Sequence, residues 1–177
     1  MSLTYFTLCA HRALPPVGFF DPLGLSESKT DAEMKKIREA ELKHGRLSMI
    51  ASLGFLTAEK FNPFFDGKIS GPAIYQFQQA GETFSYWAFA TCAVIEGGYI
   101  LKNWQPLGET MDEPLGLAKL RKGAVPGDYG FDILKKKPKT EEAYRVIKTK
   151  ELNNGRLAML AVAGIVAQEL VTGQPIF

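Results

Sequence analysis

Two runs concentrate the polar chemistry of this chain: Glu41-Leu42-Lys43-His44-Gly45-Arg46 and Glu151-Leu152-Asn153-Asn154-Gly155-Arg156. On a helix, residues three apart share a face, so Glu41 sits beside His44 and Glu151 beside Asn154. The Glu and Arg of each run are five positions apart, about 140° around the helix axis. That is poor geometry for an ion pair within one helix. Between two crossing copies the pairs can close, Glu41 with Arg156 and Arg46 with Glu151. A carboxylate has about four acceptor sites, so one oxygen can take the guanidinium while another lone pair binds a metal. The arginine leaves the ligand nearly neutral, which suits an apolar site. Magnesium prefers oxygen and accepts imidazole once a macrocycle holds it. Single Glu, His, Asn and Gln donors with no cage around them fit one axial ligand per tetrapyrrole metal. A di-iron carboxylate centre would want Glu-x-x-His from facing helices. The first run fits that pattern and the second does not, and His11 and His44 are the only histidines.

The elements that must carry these runs are three helices, expected over about 31–61, 81–104 and 140–173. Thr30 and Asp31 are cap candidates for the first, and Asn62-Pro63 closes it. The second stops before Pro106. The third opens on Glu141 and Glu142 and ends at Gly173-Gln174-Pro175, acidic start and Gly/Pro stop being what dipole and backbone favour. The first and third helices are copies. Aligning Glu41 with Glu151 also matches Leu42/Leu152, Gly45/Gly155, Arg46/Arg156, Met49/Met159, Ala51/Ala161, Gly54/Gly164 and Glu59/Glu169. Upstream, Gly18-Phe19-Phe20-Asp21-Pro22-Leu23 resembles Gly130-Phe131-Asp132-Ile133-Leu134. With one unlike helix between them, the copies are expected to form an inverted, antiparallel crossing about a pseudo-twofold axis. Small residues at Gly45, Ser48 and Ala51, and at Gly155, Ala158 and Ala161, permit close approach. The linker 106–138 reads as a solvated loop, with Lys135-Lys136-Lys137 facing anionic surfaces.

The chain has 177 residues, about one domain. A net charge of +2 gives no basic surface for nucleic acid, and Cys9 and Cys92 lack disulfide or zinc spacing. The mean hydropathy is close to zero, but the polar residues are concentrated in the connecting segments. Phe84 to Leu101 is the clearest span against the roughly 20 apolar residues a crossing needs. The apolar runs Leu47–Ala58 and Leu157–Ala167 must extend back through their Glu and Arg. An unpaired charge at membrane depth costs about 2.5–3.5 kcal/mol, which reciprocal pairing offsets. The expected fold is an all-α membrane protein of three transmembrane helices, the first and third crossed. The N-terminus has no clear leader and reads as already mature or incompletely defined. No nucleophile–base pair or phosphate-binding loop is present, so no enzyme activity is expected.

At these residues the sequence resembles the chlorophyll-binding light-harvesting family. The two Glu…Gly-Arg runs, continued as Leu47-Ser48-Met49 and Leu157-Ala158-Met159, and the Phe20-Asp21-Pro22-Leu23-Gly24-Leu25 loop carry the likeness, which covers nearly all the chain from Gly18 on. The loop wording, Leu14 to Pro22 and Ile69 to Gln79, is most similar to the fucoxanthin-chlorophyll a/c proteins of red-lineage algae. The resemblance implies a single light-harvesting domain over 1–177, with axial ligands for chlorophyll magnesium at Glu41, His44, Glu96, Glu151, Asn154 and Gln168. It implies that Asp21-Pro22-Leu23 and Asp132-Ile133-Leu134 anchor two carotenoids. The cofactors it implies are chlorophyll a, chlorophyll c and carotenoids of fucoxanthin or diadinoxanthin type. The location is the plastid (chloroplast) thylakoid membrane. The partners are thylakoid lipids, other antenna subunits and a photosystem core, with photosystem I favoured over II.

Three departures from the family pattern stand out. Ala88 replaces a middle-helix ligand, for which Gln76, Gln78 or Gln79 could substitute. A C-terminal amphipathic helix with its His is not found before Phe177. Ile133 stands where Pro is common. The rival functions are a photoprotective, energy-dissipating member of the same family and a pigment-free inverted-repeat scaffold or transporter.

Overall fold

The computed structural model describes residues 18, 20–24, 26, 29–60, 69–105, 120–121, 124–130, 138 and 140–176, the Thr83 side chain excepted. Four helices follow in order: α1 Asp31–Lys60, α2 Ala73–Gln79, α3 Glu82–Asn103 and α4 Glu141–Thr172. A capping box opens α1. Glu33 Oε2 accepts from the Thr30 N–H at 2.7 Å and from Thr30 Oγ1 at 2.9 Å, while the Glu33 N–H points back at Thr30 Oγ1. At the far end of α4, Gly173 adopts φ 65° and its N–H bonds the Glu169 carbonyl at 2.8 Å, a left-handed stop that glycine makes without strain. The Asn62-Pro63 stop expected after α1 lies outside the described residues.

The two repeated helices, α1 and α4, cross back to back at Gly45 and Gly155. A Cβ built on Gly45 would lie 3.0 Å from the Gly155 Cα, and one built on Gly155 would lie 3.0 Å from the Gly45 Cα. The reciprocity places the contact on a local twofold axis. Leu42, Leu152 and Ala158 are buried around it. The expected antiparallel sense is corrected. Past the crossing, the Ile176 N–H, just after α4, bonds Glu59 near the end of α1. The Ile74 N–H, in the segment that follows α1, bonds Glu169 near the end of α4. The two helices therefore end on the same side. One helix running back returns the chain to the side where α1 began, so α4 repeats its direction.

α3 stands apart. None of its Cα atoms comes within 8 Å of one in α1 or α4. Its large side chains Phe84, Tyr86, Trp87, Phe89, Val94, Ile95 and Leu101 are exposed. It meets α2 through Phe77, whose ring lies edge-on to Phe84 at 5.8 Å and to Phe89 at 6.2 Å between centroids. α2, seven residues long, was not expected from the sequence. Among the described residues α4 alone has the length and hydropathy of a membrane span, and only 11 % of its apolar stretch is buried. A core helix of a soluble protein would be mostly buried. α3, expected as the clearest span, falls short because Tyr86, Trp87, Glu96 and Gly97-Gly98 lower its average.

Part of the linker expected to be a solvated loop is packed. Val125-Pro126-Gly127-Asp128 forms a turn closed by the Asp128 N–H on the Val125 carbonyl at 3.1 Å. Pro at the second position and Gly at the third, with φ 74°, make it type II. Gly127 lies so close to α1 that a Cβ there would be 2.7 Å from Leu42 Cδ1 and 3.2 Å from Arg46 Nη2.

Candidate functional site

The crossing carries two reciprocal ion pairs. Arg46 Nε lies 2.7 Å from Glu151 Oε1, and Arg156 Nε lies 2.6 Å from Glu41 Oε1. The local twofold axis generates one from the other, and the two glycines let the backbones approach closely enough for both to close. The copies nevertheless differ. Glu41 Oε2 also accepts from Arg38 at 2.6 Å. The matching position on α4 is Lys148, which lies over its own neighbour's ring, 4.8 Å from the Tyr144 centroid. Among the described residues, the second oxygen of Glu151 has no hydrogen-bond partner, so its lone pairs are available to a ligand, whereas those of Glu41 are shared by two arginines.

His44 is exposed on the outer flank of α1. Its Nδ1 lies 2.8 Å from the Ala40 carbonyl. A carbonyl can only accept, so the neutral ring carries its proton on Nδ1 and presents the Nε2 lone pair outward. That is the tautomer a metal-ligating imidazole needs, with its other nitrogen fixed by the helix. Asn154 occupies the same place on α4 and is also exposed. Each is followed one turn on by exposed apolar side chains at equivalent positions: Leu47 and Ile50 after His44, Leu157 and Leu160 after Asn154. Gln168 is exposed further along α4, where its main-chain carbonyl accepts from Thr172 Oγ1.

Glu96, on α3, is the most elaborately held of the expected ligands. Its Oε2 takes the Lys43 ammonium of α1 in an ion pair, and its Oε1 accepts from the Tyr129 hydroxyl at 2.6 Å. Burial, and then the hydrogen bond to Glu96, push the Tyr129 phenol above the usual tyrosine range. It therefore stays a donor throughout the neutral range. The Tyr129 ring lies 4.2 Å from that of Tyr99. Lys43 Nζ sits 4.7 Å from the Tyr99 centroid, and the Arg46 guanidinium 5.5 Å from that of Tyr129. Cation, ring, ring and cation thus run in one stack, whose last member is also the partner of Glu151.

Two buried carboxylates were not anticipated as functional. Glu39 is 2 % exposed and accepts the Gly127 N–H at 2.5 Å, which fastens the turn to α1. Its sequence signal was its place three residues before Leu42 on the buried face of α1. Glu169 is fully buried and accepts the Ile74 N–H at 2.9 Å, seating the start of α2. Its signal was the match with Glu59 after long apolar runs, and both copies use that carboxylate to hold a backbone N–H. Of the glutamines considered as replacements for the Ala88 position, two are engaged locally. The Gln76 amide donates to the Gly71 carbonyl, and Gln79 bonds both main-chain groups of Ser70. Gln78 is exposed.

In the first loop, Asp21 Oδ2 accepts from the Ser26 N–H at 2.8 Å and from Ser26 Oγ at 2.5 Å. Leu23, beside Pro22, is exposed, as is Phe20. The matching Asp132, Ile133 and Leu134, and the lysine run 135–137, lie outside the described residues. The donors on α1, α3 and α4 therefore occur singly, each on an outward or half-open flank lined with apolar side chains. Such a set suits several flat, largely apolar groups that each bring a metal already caged and need one more ligand.

Comparison with known proteins agrees with this chemistry. The family model described as chlorophyll A-B binding protein matches residues 9–170. The chain is 42 % identical over 169 residues to the light-harvesting complex stress-related protein 3.2 of Chlamydomonas reinhardtii, covering 92 % of this chain and 63 % of that protein. It is 42 % identical over 159 residues to a fucoxanthin-chlorophyll a-c binding protein of Isochrysis galbana, covering 89 % of this chain and 74 % of the relative. A fucoxanthin-chlorophyll a-c binding protein D of Phaeodactylum tricornutum is 29 % identical over 164 residues, covering 89 % and 76 %. The chain thus spans somewhat less than two thirds of the length of its stress-related relatives.

Proposed function

The chain belongs to the chlorophyll A-B binding protein family, and on that premise we propose that it is a light-harvesting antenna protein of the plastid thylakoid membrane. It holds chlorophyll a, chlorophyll c and carotenoids of fucoxanthin or diadinoxanthin type. The observation that carries this reading is the repeated outward donor beside exposed apolar residues, His44 with Leu47 and Ile50, Asn154 with Leu157 and Leu160. α1, α3 and α4, of 30, 22 and 32 residues, are each long enough to cross the bilayer, which needs about 20. The separation of α3 from the crossed pair leaves room on its flanks for flat groups.

In this reading Glu41, His44, Glu96, Glu151, Asn154 and Gln168 supply one axial ligand each, and Asp21-Pro22-Leu23 and Asp132-Ile133-Leu134 hold the polar ends of carotenoids. The bound pigments supply absorption, transfer of excitation toward a photosystem core and quenching of chlorophyll triplets. The chain supplies position, orientation and site polarity. Arg46 and Arg156 keep Glu151 and Glu41 charge-compensated, so that both carboxylates can face an apolar ring. The hydrogen bond from His44 to Ala40 fixes the ring that faces outward. Neighbouring antenna subunits and thylakoid lipids cover the remaining apolar flanks, and photosystem I is the favoured core over photosystem II. The absorption spectrum of the purified protein tests the reading: chlorophyll and carotenoid bands are expected, and their absence would overturn it.

A second reading, energy dissipation in place of delivery, is supported by the 42 % identity to the stress-related relative. Fluorescence lifetime at neutral and acidic pH separates the two. A lifetime strongly shortened by acid supports dissipation, and an unchanged one supports the antenna.

A further inference from the structure

We propose that Lys43 and Tyr129 are positioning residues for a chlorophyll held by Glu96, so that one pigment site on α3 is completed by residues from α1 and from the turn before α4. The proposal rests on the pigment-holding function above. It starts from an electrostatic requirement. Glu96 lies on a helix whose Cα atoms stay more than 8 Å from those of α1 and α4, amid exposed apolar side chains. A carboxylate there needs a counter-charge, and α3 has no cation within a turn of it. Lys43 reaches across the gap to Oε2, and Tyr129 donates to Oε1. Each oxygen gives up one acceptor site of about two. The carboxylate remains 41 % exposed, so lone pairs are still open toward the free flank of α3.

Both partners are themselves held in place. Lys43 lies over the Tyr99 ring and 3.7 Å from Glu39 Oε1. Tyr129 is clamped between the Tyr99 ring and the Arg46 guanidinium. The turn that carries it is pinned by the Gly127 N–H on Glu39. A ligand's outer partners fix its orientation and basicity, and removing one weakens metal binding by about 10–100-fold. Lys43 and Tyr129 stand in that relation to Glu96, whereas a plain rivet between helices would affect every site alike.

The test loads wild type, Glu96→Ala, Lys43→Met, Lys43→Arg and Tyr129→Phe with chlorophylls a and c and carotenoids. It then counts chlorophyll per polypeptide and records low-temperature absorption and circular dichroism. Glu96→Ala should lose one chlorophyll and its band. Lys43→Met should weaken the same site by about tenfold or more, with the other bands kept, and Lys43→Arg should restore it. Tyr129→Phe keeps the ring stack and should displace or weaken that band alone. The proposal is overturned if Glu96→Ala loses no chlorophyll, or if Lys43→Met and Tyr129→Phe keep the band at wild-type position and strength. A uniform weakening of all bands overturns it too. Should Lys43→Met fail to fold, Tyr129→Phe decides. Wild type that takes up no chlorophyll would bring down the antenna reading itself.

Discussion

At the scale of single residues, the two Glu–Arg pairs look equivalent in sequence and are unequal in space. Glu41 is held by Arg156 and Arg38, and among the described residues Glu151 is held by Arg46 alone. The paired side chains are half-buried, so removing one partner leaves a partly desolvated charge, at a cost of about 1–2 kcal/mol, between that of an exposed and a buried pair. Arg46→Leu should therefore lower the stability of the pigment-loaded protein by about that much. Arg156→Leu should cost clearly less, since Arg38 stays on Glu41. Thermal unfolding followed by circular dichroism measures both, and equal losses would contradict the asymmetry. His44 makes a different kind of prediction. Among the described residues its ring bonds only its own helix, and it faces outward, so His44→Leu should remove one chlorophyll while leaving melting within a few degrees of wild type, about 1 kcal/mol. A full pigment complement in that variant would exclude His44 as a ligand. The pairing itself was legible in the sequence, because a five-residue offset is wrong within a helix and right between two. The second arginine on Glu41 was not, since Lys148 in the other copy hides any pattern at that position.

At the scale of elements, the glycine contact sets how closely the two long helices cross. Gly45→Ala would put a methyl 3.0 Å from backbone that has no side chain to move aside. Overpacking of this kind costs about 1–3 kcal/mol. The variant should melt lower and loosen both ion pairs together, and Gly155→Ala should do the same by symmetry. A variant with unchanged melting would mean that the crossing tolerates a wider separation. α2 depends on one atom pair of a different sort. Glu169→Leu would leave the half-buried Ile74 N–H without its acceptor, at a cost of about 1 kcal/mol. Hydrogen exchange across 73–79 should speed up while the crossing region near Gly45 stays protected. The existence and approximate ends of α1, α3 and α4 could be read from caps and periodicity. α2 could not, because Ala73–Gln79 is held by Glu169, ninety-five residues away, rather than by its own pattern. The parallel sense of the repeat, where an inverted one was expected, has a simpler cause. One intervening helix restores direction, and inversion would need an even number of them.

At the scale of the whole molecule, the described protein buries little of its own apolar surface. The fully buried apolar side chains cluster at the crossing, the α2 segment and the Tyr99 stack, while α3 and the outer flanks of α1 and α4 expose large side chains along their length. A ligand that binds only the folded form stabilises it by RT ln(1 + [L]/Kd), and here such ligands would also supply the missing packing. Protein stripped of pigment in mild detergent should keep most of its helix signal in the far ultraviolet but lose cooperative melting. Adding chlorophyll and carotenoid back should restore a sharp transition. Cooperative melting at the same temperature without pigment would show that the protein packs by itself. The duplicated runs made the crossing legible, but the Lys43–Glu96–Tyr129 link was not. Its three members come from three segments with no shared period, and the turn that carries Tyr129 has the composition of a solvated linker, although Gly127 packs against Leu42 and Arg46.

The reciprocal pairs also impose an order of events on synthesis. Arg156 and Glu41 are separated by 115 residues of chain, and Arg46 and Glu151 by 105. The most recently made helix is therefore the one that completes the first. Until α4 has been made, Arg46 lacks its cross-helix partner and Glu41 has only Arg38 of its own helix, and contacts of such long range form slowly. A chain truncated before α4 could not close the crossing at all.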